Sequence, residues 1–237
     1  MSNVFKAFSA LLSYPTPALK AAAADIRAVV HADAPGPIWA IDKIDGLLDE
    51  LETQDIFELQ ERYVFLFDRT RSLSLHLFEH VHGESRDRGQ AMVDLKELYG
   101  RGGLDIDANE LPDFLPLFLE YLSTRPADEA RRLLAEPIAV IVALKERLSK
   151  RKSPYAAILA VLEAMAKAAP LESDIEELRR APDDDPTDLE ALDKAWEDAP
   201  VIFGPGDASG DCPKVSLMLD RMNMGEKPGD VARTARS

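Results

Sequence analysis

The sequence contains one cysteine, Cys212, and only four histidines. A single cysteine excludes a disulfide within the chain and argues against a cysteine-rich metal site, so we expect a protein of the reducing cytoplasm. Basic residues are also scarce, because 28 lysines and arginines face 43 aspartates and glutamates, for a net charge of −15. This charge would repel nucleic acid and favours a basic partner.

Long apolar runs are absent as well. No stretch approaches the roughly 20 apolar residues that a membrane-spanning helix needs, so no direct membrane insertion is expected. The apolar run of residues 1–15 is interrupted by Lys6 and Ser9 and predicts an amphipathic helix, not a signal peptide.

Catalytic motifs are lacking too. The sequence has no P-loop and no Gly-x-Ser-x-Gly elbow, and Cys212 lies among Gly, Pro and Asp residues, where a nucleophile is hard to hold. We therefore predict a binding protein with no catalytic residues, no bound metal and no cofactor of its own.

Helical spacing dominates what is present. Apolar residues recur every three or four positions, and Pro and Gly mark the breaks between segments. We predict an all-α fold, a single-domain helical bundle of about 9–11 helices within residues 1–170. Two of its predicted helices concern the site: one over Ser72–Val81, and one over Leu111–Leu122 that is apolar nearly all round.

Composition changes near residue 171. Residues 172–198 hold twelve acidic and three basic residues, yet Leu189, Leu192 and Trp196 keep helical spacing. We predict an acidic helical extension over 171–199 and a flexible, disordered C-terminal tail over 200–237.

Residues Leu73–Gly89 hold three of the four histidines. His76, Glu79 and His80 form a His-x-x-Glu-His pattern, which on a helix could hold zinc with Glu79 as the base. A zinc-dependent hydrolase is therefore the alternative function. It would need a carboxylate as third ligand, because no histidine follows His82. The competing interpretation is a pair of helix-surface histidines beside acidic neighbours.

A mixed-charge cluster follows the histidines, made of Glu84, Arg86, Asp87 and Arg88. Such a cluster can be a solvated helix entry stabilised by pairs three and four residues apart. Its position beside three histidines and a group of aromatic residues favours a binding surface over this alternative. Aromatic residues at this spacing are typical of a core, and a buried tyrosine needs a partner for its hydroxyl. The aromatic residues are Tyr63, Phe65, Phe67 and Phe78.

Two parts of the sequence, residues 63–92 and residues 110–122, resemble the redox-enzyme maturation chaperones. Within that group they are similar to the nitrate reductase molybdenum cofactor assembly chaperones, and the resemblance spans roughly residues 1–200. The wider family carries a Glu-Pro-x-Asp-His signature. Glu110 and Asp113 keep their places in it, whereas the proline is shifted to Pro112 and Phe114 replaces the histidine.

The resemblance implies a cytoplasmic, non-enzymatic, system-specific chaperone. Its partner would be the apo catalytic (α) subunit of membrane-bound respiratory nitrate reductase, bound through a basic N-terminal segment. Binding would support molybdenum cofactor insertion before membrane attachment. Molybdenum-cofactor delivery proteins are further candidate partners.

A bound amphipathic segment needs apolar walls and acidic rims. The predicted walls are Phe67, Phe78, Phe114, Leu117 and Tyr121, and the predicted rims are Asp68, Glu79, Glu84, Asp87, Glu110 and Asp113. The remaining predicted client-binding residues are Tyr63, His76, His80, His82, Arg86 and Arg88. We expect His76, His80 or His82 to change client affinity between about pH 6 and 8. We also expect Asp113→Lys to weaken client binding more than it lowers thermal stability.

Overall fold

The computed structural model describes residues 2–82, 86–106, 110–166 and 168–183, together with residues 185, 187, 188, 190 and 222. These residues form twelve α-helices and one 3₁₀ turn, with no β-sheet, which confirms the all-α prediction. The elements are α1 (Ser2–Leu11), α2 (Pro17–Ala21), α3 (Ala23–Asp33), α4 (Ile38–Thr53), α5 (Ile56–Phe67), the 3₁₀ turn (Arg71–Leu73), α6 (Glu79–His82), α7 (Arg86–Arg101), α8 (Leu115–Ser123), α9 (Ala127–Ala135), α10 (Ile138–Lys150), α11 (Tyr155–Ala166) and α12 (Glu172–Arg180).

Local side-chain chemistry sets several helix ends. Thr16 precedes α2, and its Oγ1 accepts a hydrogen bond from Leu19 N at 3.1 Å. Asp55 caps α5 in the same way by accepting from Phe57 N at 2.8 Å. Side chains of this kind satisfy backbone donors that a helix start leaves unpaired. Pro137 separates α9 from α10, because proline cannot continue a helix without losing a hydrogen bond.

The core is built around α11, which is buried along nearly its whole length. It packs against α10, α4 and α9. A second packing unit joins α1 to α8 and α3. The prediction that α8 is apolar and buried on most sides is confirmed, and Leu117 is its half-exposed apolar residue. The α1–α8 pair positions the candidate site described below.

The last described helix, α12, packs on α10 through Ile175 and Leu178. It lies within the predicted acidic extension. The predicted helix around Leu189 and Trp196 lies outside the described residues. So does the predicted tail over 200–237, of which only Met222 is described. None of the described helices combines the length and hydropathy needed to cross a bilayer.

Candidate functional site

Residues 74–78, here named the strap, run beside residues 113–115 and pair with them through backbone hydrogen bonds. Leu77 N donates to Asp113 O at 3.0 Å, and Leu115 N donates to Leu75 O at 2.8 Å. These bonds make an isolated antiparallel bridge between His76 and Phe114. The predicted helix over Ser72–Val81 is therefore wrong, because this backbone pairs with another segment and becomes helical only at Glu79. The two sequence segments that carry the family resemblance meet at this bridge.

The side chain of Asp113 also forms hydrogen bonds to the strap. The carboxylate is fully buried. Its Oδ2 accepts from Phe78 N at 3.0 Å, and its Oδ1 accepts from His76 Nδ1 at 3.2 Å. The predicted start of the helix at Leu111 is also wrong, since α8 begins at Leu115 with Pro116 in its first turn. Asp113 consequently lies before α8 and belongs to the strap interface.

The premise of the zinc-hydrolase alternative does not hold in this geometry. His76 lies on the strap, whereas Glu79 and His80 lie on α6, so the two histidines do not share a helix face. His80 Nε2 donates instead to Ser74 O at 2.7 Å. Among the residues that the structure describes, no group of three or more His, Cys, Asp or Glu could hold a metal ion.

The strap borders an open groove of about 430 Å³, here named the site groove. One side comes from α1 and the turn after it, one from the end of α5, and one from the strap and the start of α8. The groove is lined by Ser9, Ser13, Tyr14, Tyr63, Asp68, His76, Glu110, Phe114, Pro116, Leu117 and Glu120. Six of these were predicted from the sequence: Tyr63, Asp68, His76, Glu110, Phe114 and Leu117.

The apolar surface of the groove comes mainly from aromatic rings and one leucine. The Phe114 ring lies 5.2 Å from the His76 ring, between centroids, at an interplanar angle of 33°. Tyr14 meets Tyr63 edge to face at 5.7 Å. Tyr63 is buried, and its hydroxyl donates to Leu12 O at 2.9 Å, as a buried tyrosine requires. Phe114 and Leu117 are the predicted wall residues that reach the groove.

Three other predicted wall residues, Phe67, Phe78 and Tyr121, lie in the hydrophobic core. These three side chains expose at most 4% of their surface and do not line the groove, so their assignment as walls needs correction. Phe67 packs on Tyr63 at 4.9 Å and supports the floor of the groove. Apolar burial explains their position, since aromatic residues at helical spacing are usually core residues.

Acidic groups edge the groove. Asp68, Glu110 and Glu120 line it, and Lys6 of α1 forms an ion pair with Glu120. Burial raises the pKa of Asp68 against the opposing charge of His76, and Glu110 adds to the rise. The groove therefore combines apolar surface with negative charge, which suits an apolar segment that carries basic residues.

The pKa values of His76 and His80 are shifted in opposite directions. Burial disfavours the His76 imidazolium, but the hydrogen bond and charge of Asp113, helped by Glu79 and Glu110, raise the pKa of His76 above its usual value. Burial lowers the pKa of His80, against its hydrogen bond to Ser74. The pKa values of the two histidines therefore move apart from their common ordinary value.

The remaining predicted site residues lie away from the groove or outside the description. Glu79 and Arg88 pair with each other at 3.5 Å and join α6 to α7. The side chains of His82, Glu84, Arg86 and Asp87 lie outside the described part of the structure. The lining residues that the sequence prediction missed are Ser9, Ser13, Tyr14, Pro116 and Glu120.

One feature of the sequence could have revealed part of the groove side formed by α1. Ser9 interrupts an otherwise apolar face of α1, and its Oγ donates to Pro116 O at 2.7 Å. A polar residue on an apolar helix face needs a partner in another element. The pattern alone could not show that the partner lies more than one hundred residues away.

Fold and site together define an all-helical protein with an apolar groove edged by acids. Residues 35–161 match the family model described as nitrate reductase delta subunit, and the chain belongs to this family. The family resemblance stated from the sequence is confirmed.

Three relatives with known names are similar to the chain over most of its length. The chain is 41% identical over 206 residues to the nitrate reductase molybdenum cofactor assembly chaperone NarJ of Escherichia coli (strain K12), covering 86% of each chain. It is 36% identical over 201 residues to the probable assembly chaperone NarW of the same organism, covering 85% of this chain and 84% of NarW. It is 32% identical over 163 residues to the probable NarJ of Bacillus subtilis (strain 168), covering 68% of this chain and 86% of that relative.

Proposed function

We propose that this protein is an assembly chaperone for respiratory nitrate reductase. It binds the N-terminal segment of the apo catalytic subunit, keeps that subunit competent for molybdenum cofactor insertion, and delays membrane attachment until insertion is complete. It acts in the cytoplasm, makes no covalent bonds and carries no cofactor. The observation that carries this proposal is the 41% identity to a molybdenum cofactor assembly chaperone over 86% of both chains.

The site groove supports the mode of binding. Phe114 and Leu117 offer apolar contact, and Asp68, Glu110 and Glu120 offer negative charge. A helix-in-groove complex needs this combination when the bound helix has one apolar and one basic face. The net charge of −15 would also speed encounter with a basic segment.

Calorimetry with a synthetic peptide of the client's N-terminal segment tests the proposal. We expect wild-type protein to bind the peptide and Glu110→Lys to bind it about tenfold more weakly, since one attraction becomes a repulsion. Asp42→Lys is the matched control, because it changes the net charge equally from an exposed position on α4, away from the groove. Its affinity should stay close to that of wild type.

Two results would count against the proposal. One is a wild-type protein that does not bind the peptide. The other is equal weakening by both charge reversals, which would mean that total charge acts and the site groove does not. Co-purification of the full-length chaperone with the apo catalytic subunit, with and without the client's N-terminal segment, gives an independent check in cells.

A further inference from the structure

A second groove lies beside the site groove, on the outer face of α5. It has a volume of about 380 Å³, and we name it the α5 groove. Tyr14 lines both grooves, so they meet at this ring. The α5 groove is lined by Tyr14, Phe57, Gln60, Glu61, Val64, Phe65 and Arg69.

The α5 groove brings together three exposed apolar side chains. Eight large hydrophobic side chains are exposed among the described residues, and three of them line this groove: Phe57 at 75%, Tyr14 at 46% and Val64 at 38%. Single exposed apolar residues are normal on a protein surface, whereas a contiguous group marks an interaction surface. The clustering therefore indicates that a partner covers this face.

The two grooves lie along a single edge of the molecule. Phe57, Glu61 and Val64 follow one another at spacings of four and three residues, so they share a face of α5. Asp68, directly after α5, lines the site groove. At a rise of 1.5 Å per residue, Phe57 and Asp68 lie about 16 Å apart along the helix direction. About three turns of a partner helix would cover that distance.

Each groove offers at least one carboxylate to a basic side chain of the client, and Arg69 places one positive charge in the α5 groove. Glu61 lines the α5 groove, and three carboxylates line the site groove. The Arg69 guanidinium lies 5.7 Å from the Phe65 ring centroid and so stacks on the protein's own aromatic surface. A helix with one apolar and one basic face would therefore find apolar contacts and carboxylates in both grooves.

We propose that the client's docking surface continues across Tyr14 onto α5, so that one amphipathic helix of the client covers both grooves. Phe57 is the apolar anchor at the far end, and Glu61 receives a basic side chain of the client. This inference rests on the proposed function and extends it, because it assigns the α5 groove to the same client segment. Tyr14, held edge to face by Tyr63, is the ring that the client helix crosses.

The test uses the full chain and a synthetic peptide of the client's N-terminal segment, measured by calorimetry. We expect Phe57→Ser to weaken binding about tenfold, because it removes an aromatic ring that the complex buries. Glu61→Gln should weaken it about threefold. Ile38→Ser is the matched control: Ile38 is 81% exposed on α4 and lines neither groove, so affinity should not change. The three side chains are exposed, and thermal unfolding verifies that each variant folds.

Shortened peptides locate the far end of the client helix. A peptide that lacks the turns lying over α5 should bind wild type and Phe57→Ser equally, yet remain sensitive to Glu110→Lys. This inference alone would be overturned if wild type, Phe57→Ser and Glu61→Gln bound the full peptide with equal affinity while Glu110→Lys still bound it more weakly. A wild-type protein that does not bind the peptide would overturn the proposed function, and this inference with it.

Discussion

Asp113 is the residue on which the strap depends. Its carboxylate is fully buried and accepts hydrogen bonds from Phe78 N and His76 Nδ1. Removing one partner of a buried hydrogen bond costs the desolvation of the group left behind. We predict that Asp113→Ala lowers the free energy of unfolding by about 2–3 kcal/mol, measured by denaturant titration.

Asp42→Ala, an exposed change on α4, is the control and should alter stability by less than about 0.5 kcal/mol. The burial of Asp113 also revises the expectation for Asp113→Lys, since a cation cannot take this site without disrupting the strap. A variant as stable as wild type that loses only client binding would instead mean that Asp113 contacts the client.

His76 and His80 should give stability opposite pH dependences. The folded-state pKa of His76 is raised, so its contribution is fully present below its unfolded pKa near 6.5 and is lost as pH rises through the folded value. The folded-state pKa of His80 is lowered, so its contribution is present above about 6.5 and is lost as pH falls.

Unfolding measured from about pH 5 to 8.5 tests this contrast. The stability gap between wild type and His76→Gln should narrow toward high pH, because glutamine keeps a donor for Asp113 but never carries charge. The gap for His80→Gln should narrow toward low pH. If the stability gaps of both variants changed with pH in the same direction, the opposite pKa shifts assigned to His76 and His80 would be wrong. The expected effect of the histidines on client affinity stays a prediction, and the same two variants test it.

Lys6 modulates the site groove through its ion pair with Glu120. If the client brings its own basic residue to Glu120, Lys6 competes with it. We predict that Lys6→Gln strengthens peptide binding about threefold and Glu120→Gln weakens it by a similar factor, as exposed pairs are worth little. In the double variant the gain from Lys6→Gln should disappear. A gain that persists would show that Lys6 acts through net charge.

At the scale of helices and strands, side-chain chemistry made most boundaries predictable. Thr16, Asp55 and Pro137 act where the sequence places them, because caps and proline breaks are local effects. The strap was missed because its backbone partners are 113–115, and pairing with a distant segment overrides local preference. A weak signal was present: Leu73, Leu75 and Leu77 alternate with polar residues, a period of two that is typical of extended backbone.

The start of α8 shows the same limit. Pro112 and Pro116 both suit the first turn of a helix, and the sequence cannot choose between them. The backbone of residues 113–115 is used in hydrogen bonds to the strap, so the helix begins at Leu115 and Pro116 occupies its first turn. The decisive interaction is again between distant segments.

Arg147 joins two elements that flank the core. This buried side chain of α10 donates from Nη1 to Ser72 O and from Nη2 to Leu178 O, both at 2.8 Å. We predict that Arg147→Met lowers the free energy of unfolding by about 3 kcal/mol, because buried carbonyls lose their donors. Hydrogen exchange should become faster in α12. Arg180→Met, on an exposed part of α12, is the control and should leave exchange unchanged.

At the scale of the whole molecule, the net charge of −15 should steer a basic peptide toward the protein. We predict that the association rate with a basic client peptide falls about tenfold between low and high salt, while the dissociation rate changes little. Stopped-flow fluorescence measures both rates. A dissociation rate that carries most of the salt effect would mean that the ion pairs form inside the complex and do not steer it.

The sequence predicted part of the site groove on α5, the strap and α8, and missed the α1 side together with Pro116 and Glu120 of α8. Tyr63, His76 and Phe114 belong to segments whose composition is unusual. Tyr14 and Glu120 look like ordinary surface residues, and only the packing of α1 on α8 places them in the groove. Grooves between helices depend on such packing, which local patterns do not encode.

The bridge between His76 and Phe114 has a consequence for synthesis of the protein. Its two sides stand 38 positions apart in the chain, so neither completes the groove alone. A nascent chain on the ribosome can complete the site groove only after Glu120 has emerged from the exit tunnel. The groove can therefore be complete only after more than half of the 237 residues have been synthesised.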